Sequence, residues 1–216
     1  MIKGIIFDMD GVLTDTEPIN ELATNTALKK LHGIELDKKI LMTLKGMREK
    51  EYYEMLRKQY GFTGDLEKFL VEKKNAFEKI LDGRNISFPA TGKVIKGLKK
   101  NYKLALATSC DKRKFDIISK SFDKSLFDVI IVGEDVTNGK PHPECYRLAI
   151  KKLGLKPDEC VVIEDAVKGI IAAKSAGAKC IGIAGTFPKE ELEETDADLI
   201  IAEIKYLTKD AITKVG

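Results

Sequence analysis

Two aspartates one residue apart, Asp8 and Asp10, follow directly on the apolar run Ile5-Ile6-Phe7. Carboxylates placed this way repel each other, and the end of a buried strand is a costly place for them unless a cation or a reacting group offsets the charge. Other reactive groups end later apolar runs: Thr108-Ser109-Cys110 after "LALA" and Glu164-Asp165 after "CVVI". Lys140-Pro141 lies in a loop ahead of a helix pattern. Such oxygen donors suit Mg²⁺, which takes one or two carboxylates, a carbonyl, waters and a phosphate oxygen. The metal and Lys140 would cancel the repulsion. An aspartate can attack phosphorus to form an aspartyl-phosphate, and a second aspartate two residues on can protonate the leaving oxygen and then deprotonate water. Phosphoryl transfer otherwise asks for positioning and charge cancellation, which Thr108, Lys140 and backbone N–H groups at 9–10 and 109 can supply.

These residues need a scaffold that brings distant segments to one edge. The runs 3–7, 103–108, 127–133, 160–165, 179–184 and 197–202 are short, aliphatic and bounded by Gly, Asp or Ser, which predicts buried strands. Between them, Cys145, Leu148, Ala149 and Leu153 predict a helix over 143–153 ending at Gly154, and Val167, Ile170 and Ile171 one over 166–176 ending at Gly177. The alternation predicts an α/β fold, a Rossmann-like parallel sheet with helices on both faces. Sheets of this kind bind ligands at the carboxyl ends of their strands, where the strand order switches. Residues 15–89 show no strand pattern. Ile19, Leu22, Ala23, Thr26 and Leu31 fall near one helical face, and "MREKEYYEMLRKQY" and "LEKFLVEKKNAFEKIL" are helical and charged outside. The expected core is thus 1–14 with 90–216, and 15–89 is an inserted α-helical domain.

The bulk composition fits. The 216 residues are 44% hydrophobic and 33% charged with a net charge of +3, enough apolar content for a core and against disorder. Lysines and acids are mixed, without a basic stripe carrying aromatics, so no nucleic-acid partner is expected. The four cysteines include no CxxC pair and no neighbouring histidine, which argues against zinc and for a reducing compartment. No leader-like or membrane-length apolar stretch is present, so a cytoplasmic monomer without membrane association is expected. Cys110 reads as a small loop residue, and Cys145, Cys160 and Cys180 as core filler. His32 reads as a helix-end cap, and His142 as a surface loop residue or a group near the site.

"DMDGVLTDTEP", "LALATS", "GKPHPECY" and "VVIEDAVKGIIAAKSAG" resemble, in order and spacing, the four signature motifs of the haloacid dehalogenase superfamily of phosphohydrolases. The pattern is similar to the branch that holds beta-phosphoglucomutase and the sugar-phosphate phosphatases, which carry a mobile helical cap where 15–89 lies. The resemblance implies Asp8 as nucleophile and Asp10 as acid/base, with Thr108, Ser109 and Lys140 on the phosphoryl group. It implies Mg²⁺ on Asp8, the Asp10 carbonyl and Asp165, with Glu164 in or beside the shell. Within the insert, "LKGMREKE" resembles the branch's substrate-reading loop, giving Lys45 and Arg48 as substrate contacts, and Lys74 matches a site-facing cap lysine; helix-surface charge is the competing reading for all three. Asn20 stands where the mutase carries a histidine, and it can neither take nor give a proton. The expectation is a Mg²⁺-dependent phosphatase of a small phosphorylated metabolite, a sugar phosphate. The alternatives are a beta-phosphoglucomutase and a non-catalytic phosphometabolite-binding protein.

Overall fold

Gly4–Phe7 (β1) lies in the middle of a six-stranded sheet whose strands are paired in parallel throughout. The protein is described by a computed structural model covering residues 1–44, 47 and 49–216. After β1 come the helices α1 (Glu17–His32), α2 (Lys38–Thr43), α3 (Glu49–Tyr60) and α4 (Leu66–Leu81). The chain continues through α5 (Thr91–Lys99), β2 (Lys103–Ala107), α6 (Lys112–Ile118), β3 (Val129–Ile131), α7 (Glu144–Leu153), β4 (Cys160–Glu164) and α8 (Val167–Ser175). It ends with β5 (Lys179–Ile183), α9 (Lys189–Glu193), β6 (Leu199–Ile201) and α10 (Lys209–Val215).

The spatial order is β3-β2-β1-β4-β5-β6. The chain builds outward from β1 to β3 and then returns to the other side of β1 for β4. The order therefore switches at β1, and β1, β2 and β4 end side by side at the position where open α/β sheets bind ligands. Ile6, Ala105, Ala107 and Val162 point to one face, against Tyr146, Ala149, Ile150 and Leu153 of α7 and Ile170 and Ala173 of α8. The alternate positions Ile5, Phe7, Leu104, Leu106, Val161 and Ile163 are equally buried. A strand covered on both faces has no polar side to show, which is why these segments read as unbroken apolar runs.

The described residues fall into two units, 1–15 with 85–216 and 16–84. The chain rejoins the sheet unit before Pro89: the Asp15 N–H donates to the Ile86 carbonyl at 2.8 Å and the Phe88 N–H to the Leu13 carbonyl at 3.1 Å. Residues 85–89 therefore pair with the turn after β1 and not with the helices. The helical unit has its own core, in which Leu28, Leu41, Tyr52, Tyr53, Leu56 and Phe69 are buried and Tyr53 stacks on Phe69 with ring centroids 4.7 Å apart.

Two side-chain expectations in this unit change. The buried stripe of α1 is Ile19, Ala23, Thr24, Ala27 and Leu28, while Leu22 is 48% exposed. With few large residues along α1, the small alanines set the packing face and the bulkier Leu22 is left out. His32 does not cap its helix. Its ring stacks on Phe62 at 4.1 Å and its Nε2 faces the Tyr53 hydroxyl at 3.3 Å. Gly33, left-handed at φ 68°, closes α1 instead by donating its N–H to the Lys29 carbonyl.

Gly169 in the first turn of α8 is a packing requirement of the sheet unit. A Cβ there would lie 1.8 Å from Glu164 Oε1, whereas one at Gly97 in α5 would meet nothing within 4 Å. Gly97→Ala is expected to raise the unfolding free energy by about 0.5–1 kcal/mol, the ordinary gain for alanine in a helix. Gly169→Ala is expected to invert the sign and lower it by about 1–3 kcal/mol through overpacking. Urea unfolding of the two variants beside the wild type checks the pair; stabilisation by both would show that Glu164 moves aside freely.

Candidate active site

β1 hands Asp8 to the sheet edge. Its N–H donates to the Ile163 carbonyl at 3.0 Å, continuing the ladder one residue beyond the strand. A tight turn follows. The Leu13 and Thr14 N–H groups donate to the Met9 carbonyl at 2.9 and 3.1 Å, as does the Thr14 hydroxyl at 3.2 Å, and Gly11 N–H donates back to the Thr14 carbonyl at 2.8 Å. Gly11 sits at φ 77°, and a Cβ there would fall 1.8 Å from Asp165 Oδ2. Glycine thus serves twice, permitting the left-handed turn and letting the β4 carboxylate approach it.

β2 ends in Thr108, whose N–H donates to the Ile131 carbonyl at 3.0 Å. Its buried hydroxyl accepts the Cys110 N–H at 3.2 Å and so shapes the loop that carries the exposed Ser109. Lys140 reaches the same edge from the loop before α7. That loop is pinned by Glu144, whose carboxylate accepts the N–H groups of Thr137 and Asn138 and the Asn138 side-chain amide, each at 2.9 Å. The Lys140 ammonium donates to Asp8 Oδ1 at 2.6 Å and to Glu164 Oε1 at 2.7 Å.

Asp8, Glu164 and Asp165 are all buried, and Lys140 is the cation that bridges the first two. Burial pushes the Asp8 carboxyl up to about 7, with Glu164 and Asp10 adding to the rise and Lys140 opposing it. Asp165 is raised well above the usual carboxylate range by burial and by the charges of Glu164 and Asp8, against a hydrogen bond from Thr186. Burial alone would lower Lys140, but Asp8 and Glu164 hold it above the ordinary lysine range, so it stays charged. The Cys110 thiol is pushed up to about 12, mainly by burial, which removes it as a thiolate nucleophile.

The cluster carries an excess of buried negative charge, and its donors are hard oxygens. Both features fit a divalent cation such as Mg²⁺. Among the described residues no three His, Cys, Asp or Glu side chains converge as a ligand cluster; a cation here would also draw on a backbone carbonyl, the part the resemblance gives to Asp10. Glu164, expected in or beside the metal shell, has its acceptor positions taken by protein donors. Its Oε1 accepts from Lys140 and from the Tyr146 hydroxyl at 2.6 Å, and its Oε2 from the N–H groups of Asp165 and Ala166 at 3.0 and 3.1 Å. Four donors fill a carboxylate's lone-pair directions, so here Glu164 anchors Lys140.

The structure brings Asp8, Lys140, Glu164 and Asp165 into one cluster, with Asp10 in the turn after β1 and Thr108 at the end of the neighbouring β2. His142 is exposed, 3.7 Å from Glu144. Of the residues expected to read the substrate, Lys45 and Arg48 lie outside the described residues. Asn20 sits half-buried in the first turn of α1, and Lys74 half-buried in α4. Sequence reasoning missed Tyr146, Thr186 and Glu144. Tyr146 had a signal, since it lies in the quoted motif next to Cys145 on the inner face of α7.

Residues 5–183 match the family of haloacid dehalogenase-like hydrolases. A phosphorylated carbohydrates phosphatase of Thermotoga maritima is 35% identical over 186 residues, 83% of this chain and 84% of its own. Beta-phosphoglucomutase of Bacillus subtilis is 29% identical, covering 98% of this chain and 94% of its own. Among solved structures, a family IA hydrolase from Entamoeba histolytica superposes with a TM-score of 0.86 at 28% identity over 99% of both chains. CbbY from Rhodobacter sphaeroides, bound to xylulose 1,5-bisphosphate, gives 0.78 at 27% identity over 96% of both. The chain belongs to the haloacid dehalogenase-like hydrolases, and by family and fold it is a hydrolase.

Asp8 and Asp165 bind protons more readily folded than unfolded, where their carboxyls have ordinary acidity. Their burial as anions therefore costs little near pH 4 and, for Asp8, its full amount above about pH 7. Without divalent cations, the melting temperature is expected to fall as pH rises from about 5 to about 8, and Asp8→Asn to flatten that fall. Calorimetry of both proteins across the range checks it; parallel curves would mean that Asp8 does not carry the raised carboxyl.

Proposed function

We propose that this protein is a Mg²⁺-dependent phosphatase of a small phosphorylated metabolite, a sugar phosphate, that works through an aspartyl-phosphate on Asp8. The observation that carries the reading is a buried carboxylate at the switch point of the sheet, bridged by Lys140 and backed by the carboxylates at the end of β4. The names of the Thermotoga phosphatase and of the sugar bisphosphate bound to CbbY support the substrate class. Asn20, which has no proton to exchange, favours hydrolysis over transfer back to a sugar.

In this reading an Asp8 oxygen attacks phosphorus as the bond to the sugar oxygen breaks, and Asp10 gives its proton to that leaving oxygen. Asp10 then takes a proton from water, the water oxygen attacks phosphorus, and the bond to Asp8 breaks to release inorganic phosphate. Lys140 and the N–H groups after β2 hold the phosphoryl oxygens as charge develops on them. Asp8, the Asp10 carbonyl and Asp165 would hold Mg²⁺, which when bound supplies Lewis-acid polarisation and neutralises the carboxylates.

The test is phosphate release from a panel of sugar phosphates with and without Mg²⁺, together with the conversion of beta-glucose 1-phosphate to glucose 6-phosphate. Mg²⁺-dependent release peaking on a few sugar phosphates is the expected result; glucose 6-phosphate with little free phosphate would replace the phosphatase by a mutase. Asp8→Asn is expected to reduce turnover to background, and Asp10→Asn by about 10²–10⁴-fold.

Mg²⁺ at about 100 times its dissociation constant is expected to stabilise the protein by about 2.7 kcal/mol, more at pH 8 than at pH 5, with the gain lost in Asp165→Asn. A gain that survives in Asp165→Asn would remove Asp165 from the metal site.

A further inference from the structure

Tyr146 is the buried group at this edge that the reading above leaves without a role. It lies six residues beyond Lys140, in the first turn of α7 on its inner face, and is fully buried. Its hydroxyl donates to Glu164 Oε1 at 2.6 Å, the same oxygen that accepts from Lys140 at 2.7 Å. Its ring lies under the ammonium, with Nζ 4.8 Å from the centroid. One side chain thus meets Lys140 by two routes. The ring face attracts the cation directly, and the hydroxyl satisfies part of the carboxylate that competes for it.

The competition matters because Lys140 is shared. Its ammonium bonds Asp8 Oδ1 and Glu164 Oε1 at nearly equal distances, 2.6 and 2.7 Å. Glu164 is the more deeply buried of the two and does not meet the substrate in the proposed reaction. With the Tyr146 proton on Oε1, the negative charge facing Lys140 from that side is partly spent. Without it, Oε1 keeps Lys140 as its one donor and holds it more strongly, away from Asp8 and from a phosphoryl group arriving there. The other oxygen cannot take up the difference, since Oε2 already accepts two N–H groups and the carboxylate is packed against Gly169 in the space a side chain would fill.

We propose that Tyr146 is a positioning residue, whose hydroxyl and ring together keep the Lys140 ammonium balanced between Asp8 and Glu164 so that it can serve the phosphoryl group. The inference rests on the phosphatase reading. It adds a residue outside the nucleophile, acid/base, phosphate-binding and metal sets.

Tyr146→Phe keeps the ring and the packing and removes only the hydroxyl. A hydrogen bond to a charged group is worth about one tenfold step or more. Tyr146→Phe is therefore expected to lower kcat/KM about 10-fold, mostly through kcat, and to weaken binding of inorganic phosphate by a similar factor in calorimetric titration. Its melting temperature is expected to fall by several degrees, the ordinary cost of one buried hydrogen bond to a charged group in a chain of this size. Tyr146→Leu, which also removes the ring, is expected to lose several-fold more. Loss of a purely structural tyrosine would lower the melting temperature alone and leave kcat, KM and phosphate affinity unchanged, and that result would overturn the inference. Wild-type protein that releases no phosphate from any sugar phosphate would instead defeat the phosphatase reading. The phosphate titration still tests Tyr146 in that case, and equal affinity in wild type and Tyr146→Phe would overturn the inference by itself.

Discussion

The bridge from Lys140 to Asp8 and Glu164 is the interaction on which the rest of the site depends. Three carboxylates are buried at one sheet edge, and charges taken out of water are stable only when paired and hydrogen-bonded. Lys140 supplies one positive charge to two of them, and Tyr146 and two backbone N–H groups fill the remaining acceptor positions of Glu164. What stays uncompensated sits on Asp8 and Asp165. Burial pushes the Asp8 carboxyl up, with Glu164 and Asp10 adding to the rise and Lys140 only partly opposing it.

That arrangement explains features that look local. Gly11 and Gly169 are set against the same two carboxylates, one on Asp165 and the other on Glu164. Each is a place where a side chain would have to yield to a carboxylate that cannot move without losing its donors. Glu144 works one step further out, tying down the loop that carries Lys140 through three hydrogen bonds. The parallel sheet supplies the frame. Because β1 is central and covered on both faces, Asp8 leaves it at a fixed height beside the ends of β2 and β4.

The helical unit answers to different physics. Its stability comes from an aromatic and aliphatic core of its own, with Tyr53, Phe62, Phe69 and His32 in contact. One of its polar contacts joins the half-buried Lys73 to the exposed Glu49 and to the Tyr52 hydroxyl. Burial would lower Lys73, and the partners overcome it and hold it above the usual lysine range. The lysine held in that pair is therefore the neighbour of Lys74, the one singled out by resemblance.

Much of the fold was legible because it rests on short-range pattern. Unbroken apolar runs mark strands buried on two faces, and Asp8, Thr108 and Glu164-Asp165 stand at their ends, so a parallel sheet with an acidic edge was legible, whereas the order β3-β2-β1-β4-β5-β6 was not, since right-handed crossovers allow more than one order. Gly154 and Gly33 mark helix ends because only glycine takes the left-handed turn cheaply. What the sequence could not decide was which of several compatible partners each side chain meets. Leu22 and Ala27 suit the inner face of α1 equally well until α4 packs against it. His32 suits a helix end until Phe62 offers a ring. Of the adjacent acids Glu164 and Asp165, the resemblance leaves open whether Glu164 lies in the metal shell or beside it, and only the tertiary structure turns Glu164 inward to Lys140 and Tyr146. Composition and periodicity determine which residues must be buried and where strands end; the direction of a buried carboxylate is decided by donors that arrive from distant segments, since an unpaired one is too costly to leave and any of several pairings would satisfy it.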